Sequence, residues 1–229
     1  MTNSHPIDSF DFQSQLMQHR GAIDAIDKQL LSLLKERINV VQKVGALKSD
    51  YGISGSYIRP GREAVMIKDL LALNAQKQSD FADEAIIAIW RIIIGCSTAT
   101  ESPLNTLTLT QDAHARALST QYFSACVPTK AAYIDDLLHH LKTDRHAVAI
   151  LPYDVDASYW HILPKDCYVF ACLPFYGTPT HLAVGYVIPE ETGDDISLFK
   201  DKTLVTKHGF HYGKTDCIGS YGAPIPKQT

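Results

Sequence analysis

The chain has 229 residues, which at roughly 150 residues per domain allows one or two domains. It is 45% hydrophobic and 20% charged, ordinary globular proportions that exclude wholesale disorder. A net charge of −4 at pH 7 argues against a general nucleic-acid or anionic-membrane binder. No uncharged apolar run approaches the ~20 residues that span a bilayer. The first eight residues have neither the basic nor the apolar stretch of a secretory signal. Cys96, Cys126, Cys167, Cys172 and Cys217 are odd in number and form no Cys-x-x-Cys motif, which fits free thiols in a reducing cytosol. These features lead to the expectation of a cytoplasmic protein.

Composition changes part-way along. Residues 1–103 hold six of the 21 aromatics, and Pro60 is the only proline between Pro6 and Pro103. Residues 104–229 hold the other fifteen aromatics and eight of the eleven prolines. Proline-poor sequence is available for long helices, whereas proline-punctuated aromatic sequence suits short strands and turns. The small-polar stretch Ser97-Thr-Ala-Thr-Glu-Ser-Pro103 marks the expected boundary. Three regions are thus expected: a flexible N-terminus over 1–10, an all-helical domain over 11–103, and a smaller α/β domain over 104–229.

The helical part reads as three helices. From about Asp11 to Tyr51, Ile23, Ile26, Leu30, Leu34, Val41 and Val44 recur in steps of three and four. That predicts a helix of roughly forty residues, about 60 Å long. Such a helix cannot bury its stripe against itself and needs a partner chain or a hairpin. A second helix opens at Pro60, a residue suited to the first helical turn, and carries Met66, Leu70 and Leu73. A third follows Asp80, a candidate N-cap, with the stripe Ile86, Trp90 and Ile93.

Charges interrupt these stripes. Arg37 and Lys48 fall where the first pattern calls for aliphatic residues, eleven positions and some 16 Å apart on one face. Arg62 opens the second stripe, and Ser97 and Glu101 extend the third. A cation at a seam edge can snorkel, or serve as an internal ion pair or register device. Three cations facing inward, with Glu63 and Glu101 the nearby inward acids, call for compensation, because a buried unpaired charge costs several kcal/mol. A small ligand bearing carboxylates satisfies the excess.

Arg20-x-x-Ile23-x-x-Ile26-Asp27-x-x-Leu30-Leu31-x-Leu33-Leu34-x-x-Arg37, Val44-Gly45-x-x-Lys48, Pro60-Gly-Arg62-Glu63 and Ile92-Ile93-Ile94-x-x-Ser97-x-x-x-Glu101 follow in order. Over residues 12–102 this set resembles the all-helical chorismate mutases, in particular the N-terminal mutase domains of fused mutase–prephenate dehydratase proteins. The resemblance implies an intertwined homodimer with two shared sites. Helix arithmetic agrees: Arg20 and Arg37 are seventeen residues, about 25 Å, apart along one helix, so one copy cannot readily bring both to a ligand near ~10 Å across. The resemblance further implies that Arg20 of the partner, Arg37 and Lys48 hold the carboxylates and ether oxygen of chorismate. Arg62 then lines the site, Glu63 accepts a hydrogen bond from the substrate hydroxyl, and Ser97 contacts a carboxylate or assists locally. Chorismate rearranges to prephenate pericyclically, so no cofactor, metal or nucleophile is expected.

Two positions depart from the commoner family pattern. Glu101 stands where many relatives have glutamine, and it must be protonated to donate to the ether oxygen. Arg59 stands where an aspartate often precedes the Pro-x-Arg-Glu segment, which leaves Glu63 more of the hydroxyl contact.

In the second half we expect a strand at Thr106–Thr110, a helix at Ala113–Tyr122, a strand at Phe123–Val127, a helix at Lys130–Leu141 and a strand at Ala147–Pro152. Further strands are expected over Tyr168–Phe175 and Leu182–Ile188. The β-α-β-α-β order predicts a parallel or mixed layer and weakly resembles one lobe of a prephenate dehydratase. Dehydratases carry Thr-Arg-Phe; the nearest counterpart here, Thr180-His181-Leu182, lacks the arginine and phenylalanine, so dehydratase activity is not expected. Glu190–Leu198 resembles the start of a regulatory ACT domain, but about thirty residues remain, too few for a whole one. Two rival readings stay open: an isochorismate-pyruvate lyase, and a non-catalytic metabolite sensor.

Overall fold

A computed structural model describes residues 9–52, 57–76, 81–101, 104–123 and 128–227. Three long helices are followed by a mixed sheet with its own helices, the fold class expected from the break in composition. The chain divides into two compact units, Met1–Lys48 and Ser49–Thr229.

The described residues of the first unit lie in one helix, α1 (Ser9–Asp50), whose 42 residues reach about 63 Å. It contains no proline, and Asp11 in its first turn and Lys48 in its last complement the helix dipole. Ile23, Ile26 and Leu30 on the expected seam are each more than half exposed. Between residues 11 and 50, the positions withdrawn from solvent are Leu16, Arg37, Ile38, Val41, Gly45 and Lys48, all half-buried. The flexible N-terminus expected over residues 1–10 lies outside the described residues, apart from the start of α1 at Ser9.

The second unit opens with α2 (Pro60–Gln76) and α3 (Asp83–Glu101), which pack on each other. The sheet behind them contains β1 (Asn105–Leu109), β2 (Thr129–Ala131), β3 (Ala147–Pro152), β4 (Tyr168–Leu173), β5 (His181–Gly185), β6 (Asp195–Lys200), β7 (Leu204–His208) and β8 (Cys217–Gly222). Two shorter helices, α4 (Ala113–Tyr122) and α5 (Ile134–Thr143), connect the first three strands. The eight strands lie in the order β2-β1-β3-β5-β4-β8-β6-β7. Strand β1 runs parallel to both β2 and β3, as α-helical crossovers require, while β5 lies antiparallel to β3 and β4.

Helix α2 rests on β8 and α3 on α4, so both long helices share a core with the sheet. Ala64 and Ile67 of α2 and Ile87 and Ile94 of α3 are buried in one cluster with Val169, Phe170, Leu182 and Leu198 of the strands. Burial of a side chain such as Ile67, which is fully enclosed, is worth about 1.5–3 kcal/mol. Two glycines permit the closest approaches. A Cβ on Gly61 would lie 2.5 Å from the Glu190 Cβ, and one on Gly219 would lie 2.0 Å from the Val169 carbonyl oxygen across the β4–β8 pair.

Several expected elements shift. Of the strand expected at Phe123–Val127, Phe123 is the C-cap of α4 and residues 124–127 lie outside the described residues; β2 starts at Thr129. Helix α5 begins at Ile134 rather than Lys130 because residues 129–131 are used by β2. The N-cap expected at Asp80 lies outside the described residues, and α3 starts at Asp83. Strand β4 stops at Leu173, before Pro174, and β5 ends at Gly185. The segment likened to a regulatory domain instead leads into β6, which lies between β8 and the edge strand β7 of the same eight-stranded sheet.

Candidate active site

Helix α1 carries three of the expected site residues. Arg20 is fully exposed, whereas Arg37 and Lys48 are among the few half-buried positions of that helix. Each of the latter two also makes an interaction within the chain. Both cations are thus less exposed than most aliphatic residues of that helix.

In the second unit the site segment is the N-terminus of α2. Pro60 occupies the first helical position, where its missing N–H costs nothing. The Glu63 carboxylate, one turn into the helix, reaches back to accept a hydrogen bond from the Arg59 N–H at 3.4 Å. The Glu190 carboxylate accepts from the Arg62 N–H at 3.3 Å and pairs with the Arg59 guanidinium. A negative group is thus already seated on the helix N-terminus, where the backbone dipole favours it. An open groove of about 490 Å³ runs past Arg59, Arg62, Val65 and Glu190.

The side chain of Arg62 is exposed, contrary to the inward position its spacing suggested. The reason is rotation of the buried face: α2 turns Gly61, Ala64 and Ile67 inward, not the Met66–Leu70–Leu73 stripe. Helix α3 behaves differently. Its expected stripe is withdrawn from solvent, with Ile86 and Ser97 buried and Trp90, Ile93 and Glu101 half-buried. A second stripe, Ile87, Arg91, Ile94 and Thr98, is buried as well. Ser97 donates its hydroxyl to the Ile93 carbonyl at 2.7 Å, and both Ser97 and Glu101 make further interactions in the chain.

Arg91 is the residue that sequence reading missed. It is 8% exposed and donates from Nη1 to Glu63 Oε2 at 3.2 Å. Its guanidinium carbon lies 4.8 Å from the centroid of the Tyr122 ring and 4.9 Å from that of Phe175. Desolvation raises the pKa of Glu63, opposed by the Arg91 charge and the Arg59 N–H and reinforced by the nearby Glu190 carboxylate. The signal for Arg91 was available, since Ile87-x-x-x-Arg91-x-x-Ile94-x-x-x-Thr98 is an apolar helical stripe broken by a cation, like the one that singled out Arg37.

The second half holds a separate polar cluster. Asp112 caps α4 by accepting from the Ala115 N–H at 2.8 Å, and its other oxygen lies 2.9 Å from His181 Nε2. The Thr180 hydroxyl lies 2.9 Å from His181 Nδ1. Asp112 thus spends one carboxylate oxygen on the helix cap and the other on His181. Among the described residues no group of three His, Cys, Asp or Glu side chains is placed to hold a metal ion. No helix among them is long and apolar enough to cross a membrane.

Comparison with known proteins agrees with the region singled out by the charges. The chain is similar to proteins named bifunctional chorismate mutase/prephenate dehydratase. The one from Neisseria gonorrhoeae (strain ATCC 700825 / FA 1090) is 29% identical over 139 residues, covering 60% of this chain and 36% of the relative. That from Pseudomonas aeruginosa is 28% identical over 145 residues, 61% of this chain and 39% of the relative. That from Aquifex aeolicus (strain VF5) is 30% identical over 142 residues, 60% and 38% respectively. This chain therefore spans less than two-fifths of the length of these relatives. Residues 1–103 make up less than half of the chain, so matches covering 60% of it continue into the sheet region. No solved structure matches the chain. Residues 19–102 match the model of the family Chorismate mutase type II.

Proposed function

We propose that this protein is a chorismate mutase, converting chorismate to prephenate on the route to phenylalanine and tyrosine. The observation that carries the reading is the coincidence of the matched segment, residues 19–102, with the ordered set of charged and polar motif residues from Arg20 to Glu101. The catalytic segment is residues 11–103, and residues 104–229 are its α/β region. The active form is a homodimer, in which the exposed aliphatic seam of α1 is buried by the second copy and each site takes Arg20 from the partner chain.

In this mechanism the protein supplies geometry and charge, with no cofactor and no covalent intermediate. Arg20 of the partner subunit and Arg37 grip the two carboxylates of chorismate, because a planar guanidinium matches a carboxylate in a bidentate fashion. That grip holds the ring and side chain in the reactive chair-like conformer. Lys48 and protonated Glu101 donate to the ether oxygen as the carbon–oxygen bond breaks and negative charge grows there. Glu63 accepts from the substrate hydroxyl, while Arg62 and Ser97 complete the polar lining. A millionfold acceleration needs about 8 kcal/mol, a sum that conformer restriction and two donors to one oxygen can supply.

The test is product analysis with the purified full-length chain. Chorismate is expected to give prephenate, and Arg37→Ala to remove nearly all turnover. Salicylate and pyruvate from isochorismate would identify a lyase instead. Binding of chorismate without conversion would identify a sensor.

A further inference from the structure

Besides the Glu190 contacts, the sheet region reaches the site segment of α2 through a buried side chain of α3. Arg91 leaves the middle of α3 with Ile87 one turn before it and Ile94 one turn after, both buried. Its guanidinium lies close to the Tyr122 ring from α4 and the Phe175 ring beyond β4. Those rings are tied together, since the Tyr122 hydroxyl accepts a hydrogen bond from the Phe175 N–H. At the other end of the guanidinium stands Glu63, in the site segment of α2. Nε of Arg91 is buried without a protein partner, and a cavity of about 30 Å³ lined by Glu63, Arg91, Tyr122 and Cys172 adjoins it. That volume admits one water, which would give Nε an acceptor.

We propose that Arg91 is a positioning residue for the rearrangement: held by the Tyr122 and Phe175 rings of the α/β region, it fixes the Glu63 carboxyl group, correctly aimed, for the substrate hydroxyl. This rests on the mutase reading above and assigns the α/β region a part in it. Stability alone is a poor reason for such a pair, because a buried ion pair is commonly no better than two apolar side chains of similar volume. The pair does have a functional consequence. Burial and the Glu190 carboxylate push Glu63 toward its neutral form, whereas Arg91 and the Arg59 N–H hold the proton off. The other groups around it are Tyr122 of α4 and Cys172 of β4, which share its cavity. Without Arg91 the carboxyl keeps its proton to higher pH and loses its fixed direction.

The experiment uses the full chain and measures kcat, KM and the pH profile of kcat/KM for wild type, Arg91→Gln, Arg91→Lys and Phe175→Leu. Arg91→Gln is expected to lower kcat/KM by about ten- to a hundredfold, the scale of a misplaced catalytic group, and to move the acid limb to higher pH. Arg91→Lys keeps the charge and is expected to hold the acid limb near its wild-type position. Phe175→Leu loosens the guanidinium from the sheet side and is expected to move the limb in the direction of Arg91→Gln. It also reads the same coupling should Arg91→Gln fail to fold by circular dichroism. An active wild type whose acid limb is unmoved in the folded variants overturns the positioning role while leaving the mutase reading intact. A wild type that converts no chorismate overturns both.

Discussion

Removing both partners of the Glu63–Arg91 pair should cost well short of the sum of removing each alone. At 3.2 Å and an effective dielectric of 20, the gross attraction is about 5 kcal/mol. Desolvation of both groups consumes much of it, since Arg91 and Glu63 keep only 9% and 17% of their side-chain surface. Glu63→Ala leaves a buried guanidinium without its counter-ion, for which about 3–5 kcal/mol is the expected loss. Arg91→Met leaves the carboxyl, which can shed its charge by taking up a proton and so loses less. In the double variant neither charge remains. Its loss should fall well short of the sum, by about 2 kcal/mol or more, the upper range for contacting residues. Urea unfolding at pH 7 measures all four proteins, with fluorescence of Trp160 as a core reporter because its indole is 1% exposed and hydrogen-bonded to the Asp154 carbonyl. The pH dependence gives a second check. Because the folded-state pKa of Glu63 is raised, its contribution to stability is complete below the usual carboxylate range and is lost as pH rises through the folded value. Glu63→Gln should remove that slope. Losses that add to within about 0.5 kcal/mol would refute the coupled pair.

A shared site makes a complementation prediction. Arg20→Ala and Arg37→Ala homodimers should each be inactive, and co-refolding equal amounts should restore about a quarter of wild-type activity, because half the dimers then hold one intact site; no recovery would show that both arginines serve from one chain. If Glu101 donates to the ether oxygen it must carry a proton, so turnover should rise toward mildly acidic pH, above the Glu63 limb, and Glu101→Gln should flatten that rise; an unchanged profile assigns the donor elsewhere. Burial pushes the Cys167 and Cys172 thiols up to about 12, so neither should be alkylated by iodoacetamide at pH 8, while exposed Cys96 should be; peptide mass spectrometry reads the sites directly.

The helical half was legible because its information is local. A forty-residue seam in steps of three and four, a proline at a first helical turn and charges breaking apolar stripes depend on neighbours three or four positions away, which any helix brings together. Hence α1, the start of α2, the withdrawal of Arg37 and Lys48, and the β1-α4-β2-α5-β3 order could all be read in outline from residue order. The strands from Asp195 onward could not. They pair with partners distant in the chain, as β4 does with β8, and Gly219 reveals its need for a bare backbone only when Val169 lies against it. Tertiary structure alone decided which face of α2 is buried, turning Arg62 outward and Ile67 inward, because an apolar stripe says that a helix packs but not against what. For the same reason the family resemblance implied Glu63 as a candidate acceptor, but only folding brought Arg91, Tyr122, Phe175 and Glu190 around it: ion pairs and ring contacts form between side chains 28 to 131 residues apart, and no local spacing encodes them.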